Sequence, residues 1–229
     1  MLQKDKALKS IENDFKDYAD LMIKQLNELE QLVQSGSTNI SEEEVKTIKS
    51  LEKQLDKFEV KISDKIINTI VLHHPVASDL RKLMTCYRIV VNMERIGDLV
   101  NDIVYFIQKI EDSKLYEDLS DVIFTMITSS NNMVQKALFS FINDDRDSAI
   151  WTIKNDEVID EMNKKLMKKG IKKTKLQDEA REMLLHLINF KSVVSKIERI
   201  GDHASHIAEA SIYSQDGKDI RHKNINDHS

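Results

Sequence analysis

Cysteine occurs once in the chain, as Cys86, so no disulfide can close within it, and this usage fits a reducing compartment. A lone cysteine in such a chain reads as a small buried hydrophobe. Proline also occurs once and glycine five times, too few for a turn-rich sheet architecture. No apolar run approaches the roughly 18 residues of a membrane span, and the Met1 end has no short apolar core of a secretory signal. A soluble, cytoplasmic, free-standing protein is therefore expected. The net charge is −5, which argues against a general grip on nucleic acid phosphates. The one basic exception, seven lysines between Lys164 and Lys175, reads as a solvated helix end and loop.

What the chain does have is charge and apolar periodicity: 32% of its 229 residues are charged and 41% apolar, a balance that suits long amphipathic helices. Leu8, Ile11, Phe15, Tyr18, Met22, Leu26, Leu29 and Val33 recur by threes and fours, lining one face of a first helix that Gly36 ends. Ser41 with Glu44 forms a capping box, with Ile40 and Val45 as its hydrophobic staple, opening a second helix that runs to about Leu72. Pro75 marks the start of a third, extending to about Glu111. Three more follow, at roughly Leu115 to Asn143, Asp147 to Lys168, and Thr174 to Tyr213, with Thr174 and Gln177 as a second capping box. Gly36, Gly170 and Gly217 fall at predicted helix ends.

Gly97 and Gly201 fall inside helices, at a cost of about 1 kcal/mol each relative to Ala, which points to close packing there. They also expose a repeat. Glu94-Arg95-Ile96-Gly97-Asp98 recurs without change as Glu198-Arg199-Ile200-Gly201-Asp202, 104 residues later. The expected fold is all-α, with six long helices in two pseudo-symmetric three-helix bundles, residues 1–113 and 114–229.

Ile89, Met93, Ile96, Val100, Ile103 and Ile107 form an apolar ridge on the third helix, and Glu94, Asp98 and Asp102 line its other side. The sixth helix repeats this with Glu198, Asp202 and His206. Carboxylates one turn apart repel by roughly 0.2–0.5 kcal/mol per pair, a cost that a divalent cation would remove. Oxygen-rich sets with an occasional imidazole suit Mg, Mn or Fe. One helix offers too few ligands, so a neighbour must contribute: Asp156 with Asp160 in the second half, and Glu59 with Ser63 as the first-half counterpart. The competing reading is a solvated acidic face neutralised by Arg95, Arg199 and lysines. His203 and His206 fit a surface or supporting role as well as a ligand role, and His73 and His74 read as loop residues. An oxidase of the di-iron carboxylate type lacks its Glu-x-x-His motif here, and no aromatic-lined sugar cleft supports glycoside hydrolysis. No Gly-rich phosphate-cradling loop is visible either.

With its doubled pentapeptide on long helices, the His203-Ala204 and Ile207-Ala208-Glu209 that follow the second copy, Pro75 to Arg81 before the first, and Gly217 to His222 at the end, the chain resembles the PhoU family from about Asp56 onward. The resemblance implies two pseudo-symmetric three-helix bundles and no enzymatic activity. It also implies a negative regulator of the phosphate-starvation response, linking the ATPase of a phosphate ABC transporter to a sensor kinase at the membrane. It carries metal ions, Fe, Mn, Mg or Zn, onto Glu94, Asp98, Asp156, Asp160, Glu198 and Asp202, with Glu59, Asp102 and His206 as further candidates. A homodimer is expected. Ser63 stands where the family pattern has Asp, and no histidine follows the first motif copy, so unequal sites are expected. The alternatives are the soluble PhoU-like regulatory domain of a sodium-phosphate cotransporter and a metal-binding structural bundle.

Overall fold

The computed structural model describes residues 2–110, 113–173 and 180–221. Six helices follow one another: α1 Leu2–Gln34, α2 Glu42–His73, α3 Ser78–Ile107, α4 Ser113–Ile142, α5 Arg146–Lys173 and α6 Ala180–Asp216. Among the described residues there is no strand, so the all-α expectation holds.

The helix ends follow local chemistry. Gly36, at φ 65°, donates its N–H to Val33 O at 3.0 Å and closes α1. Ser41 caps α2 reciprocally: Glu44 N–H reaches its Oγ at 3.2 Å, and Ser41 N–H reaches Glu44 Oε2 at 2.8 Å. The third helix begins at Ser78 and not at Pro75. His74 ends α2 in the left-handed region and Ala77, at φ 49°, is also non-helical, so right-handed winding resumes only beyond it. The fifth helix begins at Arg146, where Asp145 Oδ1 accepts the N–H groups of Asp147 and Ser148. It then continues through Gly170 to Lys173, so that glycine does not end a helix as expected. Gly217, at φ 70°, closes α6. Thr174 and Gln177 lie outside the described residues.

Helices α1, α2 and α3 pack on one another, as do α4, α5 and α6, while α3 against α6 and α1 against α4 join the two sets. The apolar ridge read on α3 is wholly buried, and the buried side chains of all six helices form one continuous cluster. Three links fix α3 and α6 antiparallel. Asn92 Oδ1 meets His203 Nδ1 at 2.9 Å, Asp102 pairs with Lys196, and Asn189 Nδ2 donates to Lys109 O at 2.9 Å. Between α1 and α4, Asn131 Nδ2 donates to Leu26 O at 3.1 Å and to Glu30 Oε2 at 2.8 Å.

Candidate functional site

The two interior glycines set the spacing of the acid-bearing helices. A Cβ on Gly97 would stand 3.2 Å from Leu55 Cδ1 of α2 and 3.4 Å from Gln25 Oε1 of α1. On Gly201 it would stand 3.2 Å from Ile159 Cδ1 and 3.6 Å from Asp156 Oδ1, both of α5. Absence of that one carbon lets α2 approach α3, and α5 approach α6, level with the carboxylates.

In the second half Asp156 and Asp160 of α5 face Glu198 and Asp202 of α6. Burial, followed by the opposing Asp202 charge, pushes the Asp156 carboxyl up to about 6, although Ser205 and His206 counter the rise. Glu198 is raised by burial and then by Asp160, against a hydrogen bond from Asn163. Asp202 is raised by burial and Asp160, with His206 and Arg199 opposing. His206 is exposed and close enough to act on both Asp156 and Asp202, so it belongs to this cluster.

The first half holds an equivalent cluster that adds two acids to those the spacing singled out. Glu94 is raised by burial, then by Asp98, Glu59 and Asp56; Asp98 is raised by burial, then by Asp56 and Asp102. Glu52 is raised by burial, Asp56 and Asp98, with a hydrogen bond donated by Asn101 opposing. The structure thus brings Glu52 and Asp56 of α2 to Glu94 and Asp98 of α3, with Glu59 alongside. Glu52 and Asp56 also precede Asp156 and Asp160 by the same 104 residues that separate Glu94 from Glu198. Ser63, four residues beyond Glu59, has a buried Oγ with no hydrogen-bond partner among the described residues. The repeat distance, applied to α2, was the signal that would have found the pair. Asp102 is held by Lys196 across the α3–α6 seam, whereas among the described residues no ion pair clamps its counterpart His206.

His203 turns the other way. It is 7% exposed, and Asn92, whose Nδ2 is spent on Arg88 O at 2.8 Å, offers it an oxygen, so Nδ1 carries the proton. Burial, then His206, Arg95 and Arg199, lower its pKa to about 4, which keeps the ring neutral. It ties α6 to α3 and stands apart from the carboxylates.

The donor set of either cluster, four carboxylates from two helices, three of them raised by burial and mutual repulsion, fits a hard cation. Among the described residues no three His, Cys, Asp or Glu side chains converge as a ready-made metal cage, so a cation would draw the carboxylates together by side-chain rotation. Glu52, Asp56, Glu94 and Asp98 would hold it in one half, and Asp156, Asp160, Glu198 and Asp202 in the other.

Fold and site define a duplicated all-helical protein in which each half sets an acid pair of one helix against an acid pair of the next. The chain belongs to the PhoU domain family, whose model matches residues 15–107 and 123–211. It is 31% identical, over 75% of its length and 72% of the relative's, to a phosphate-specific transport system accessory protein PhoU homolog of Burkholderia sp. It is 28% identical, over 72% of its length and 74% of the relative's, to a protein of the same description from Clostridium acetobutylicum. Its fold matches the crystal structure of PhoU from Pseudomonas aeruginosa with a TM-score of 0.76 over 93% of this chain and 99% of that one, at 21% identity. Among the described residues no helix is long and apolar enough to cross a membrane.

Proposed function

We propose that this protein is a metal-binding regulatory adaptor of phosphate uptake, cytoplasmic and non-enzymatic. In this reading it restrains the phosphate-starvation response by acting with the ATPase of a phosphate ABC transporter and with a sensor kinase, reaching the membrane through those partners and working as a homodimer. The phosphate-transport names of its relatives support the pathway. The observation that carries the mechanism is the pair of acid clusters, each holding carboxyls above their ordinary range through burial and repulsion. A bound Fe, Mn, Mg or Zn ion would supply positive charge there and weaken or invert a strongly negative surface patch. Partner affinity then follows metal occupancy.

The test measures binding of the purified ATPase and kinase to wild type and to Glu198→Gln/Asp202→Asn, with and without metal, alongside elemental analysis and thermal melts. The reading expects partner affinity to change severalfold on metal loading and to lose that response in the double variant. A variant that is destabilised yet binds partners with unchanged affinity and unchanged metal dependence makes the clusters purely structural. Deletion of the gene should raise starvation-gene expression in phosphate-replete medium.

A further inference from the structure

Along the outer seam of α3 and α6 lies an open cleft of about 400 Å³ with a composition unlike the acid clusters. Three of its lining groups, Lys191, Ser195 and Arg199, stand one turn apart on α6 and so share one face of that helix. Lys191 and Arg199 are exposed and have no ion-pair partner among the described residues. The Ser195 hydroxyl likewise donates to nothing described, whereas Ser192 Oγ is spent on Ile188 O at 2.9 Å. Lys196, also on the cleft wall, is neutralised by Asp102 and lies 5.3 Å over the Phe106 ring. Phe106 and the half-exposed Ile188 give the cleft an apolar side.

This composition is not imposed by the repeat. The positions 104 residues earlier are Tyr87, Val91 and Arg95, so the first half keeps one cation of the three polar groups. Beside them, the neighbouring cation Arg88 of α3 has an acid within reach: Asp219, just past α6 and hydrogen-bonded by Arg221, also feels its charge. No described acid performs that service for Lys191, and Arg199 meets only the flank of the α6 carboxylates. Two unspent cations and an unspent hydroxyl on one wall of a cleft make a receptor for an anion with several acceptor oxygens.

We propose that this cleft binds a phosphoryl oxyanion, with Lys191 and Arg199 as the paired cations, Ser195 as hydroxyl donor, and Phe106 and Ile188 against the body that carries the group. The phosphoryl oxygens would come from free inorganic phosphate or from the headgroup of an anionic phospholipid. The site lies beside the second-half acid cluster and touches it only through Arg199, whose charge also acts on Asp202.

Metal-free protein at low ionic strength is titrated calorimetrically with inorganic phosphate up to millimolar concentration, so that phosphate cannot reach it through a bound cation. In parallel, flotation is measured with phosphatidylcholine vesicles with and without phosphatidylglycerol. Wild type is expected to bind at least one of the two probes. Lys191→Gln/Arg199→Gln should weaken that binding at least about tenfold and Ser195→Ala roughly threefold, while Lys136→Gln, on α4, leaves it unchanged. Melting temperature and metal content should stay at wild-type values in Lys191→Gln and Ser195→Ala, neither of which touches the carboxylates. Response to phosphate identifies the solute as the source and response to phosphatidylglycerol the headgroup; either supports the site. Absence of both responses, or binding that survives the double variant, overturns it. Should the double variant melt early, the single Lys191→Gln and Ser195→Ala variants are read instead by the same criterion.

Discussion

At Asp156 the carboxyl holds its proton to about pH 6 in the folded chain, against an ordinary value of 3.8. The folded state therefore binds more protons than the unfolded chain between these values. That contribution to stability is complete below 3.8 and lost as pH rises through 6. His203 works in the opposite sense, because its lowered pKa costs stability as pH falls from 6.5 toward about 4. A bare pH profile mixes the two, so the readout is a difference. Asp156→Asn should melt higher than metal-free wild type at pH 7.5, by a few degrees given the partial solvation of the site, with the gap closing toward pH 5. An equal gap at both pH values would mean that the proton on Asp156 is not the cause. The acids of α3, α5 and α6 were legible one turn apart in the sequence. Glu52 and Asp56 carry the same Glu-x-x-x-Asp spacing and stand one repeat distance before Asp156 and Asp160, whereas Glu59 and Ser63 lie about two turns further along α2 and break the acid pattern. The Lys196 clamp on Asp102 joins residues on separate halves, which no periodicity within one helix reveals.

Helices α5 and α6 approach each other through Gly201, so a branched side chain there should push them apart beside Asp156. Gly201→Val is expected to destabilise the protein by about 1–3 kcal/mol through overpacking, measured by denaturant unfolding. Gly201→Ala should stay within about 1 kcal/mol of wild type, since gained helix propensity offsets a contact that Ile159 can relax. The same element predicts unequal metal sites. Both halves offer four carboxylates, but no described ion pair clamps His206 where Asp102 is held by Lys196, so Asp202→Asn should lower bound metal severalfold more than Asp98→Asn in elemental analysis. Equal losses would show that the fifth position does not matter. Six helices were readable because their apolar stripes are long and regular. Their ends were readable where a side chain or a glycine makes the cap, as at Ser41 and Gly36. The start of α3 was not, because the positive-φ positions His74 and Ala77 that delay it are residues that carry no signal for such a turn.

Across the whole molecule the decisive fact is that α3 meets α6 and α1 meets α4 within one apolar cluster. Asn131 sits at the second of these meetings, fully buried, spending its amide N–H groups on Leu26 and Glu30. Asn131→Ala should cost about 1–3 kcal/mol by leaving those acceptors unmet. Calorimetry should show it lowering a single unfolding transition, whereas two transitions, only one of them shifted, would mean that the halves melt independently. The shared core also governs what a cut chain can do. A polypeptide ending in the segment after Ile107 would carry the buried seam of α3 with nothing to cover it, and its complement would carry the matching seam of α6. Each fragment alone is an adhesive surface, and each is the other's natural chaperone, so co-expressed pieces should reassemble without a peptide bond between them while singly expressed pieces precipitate.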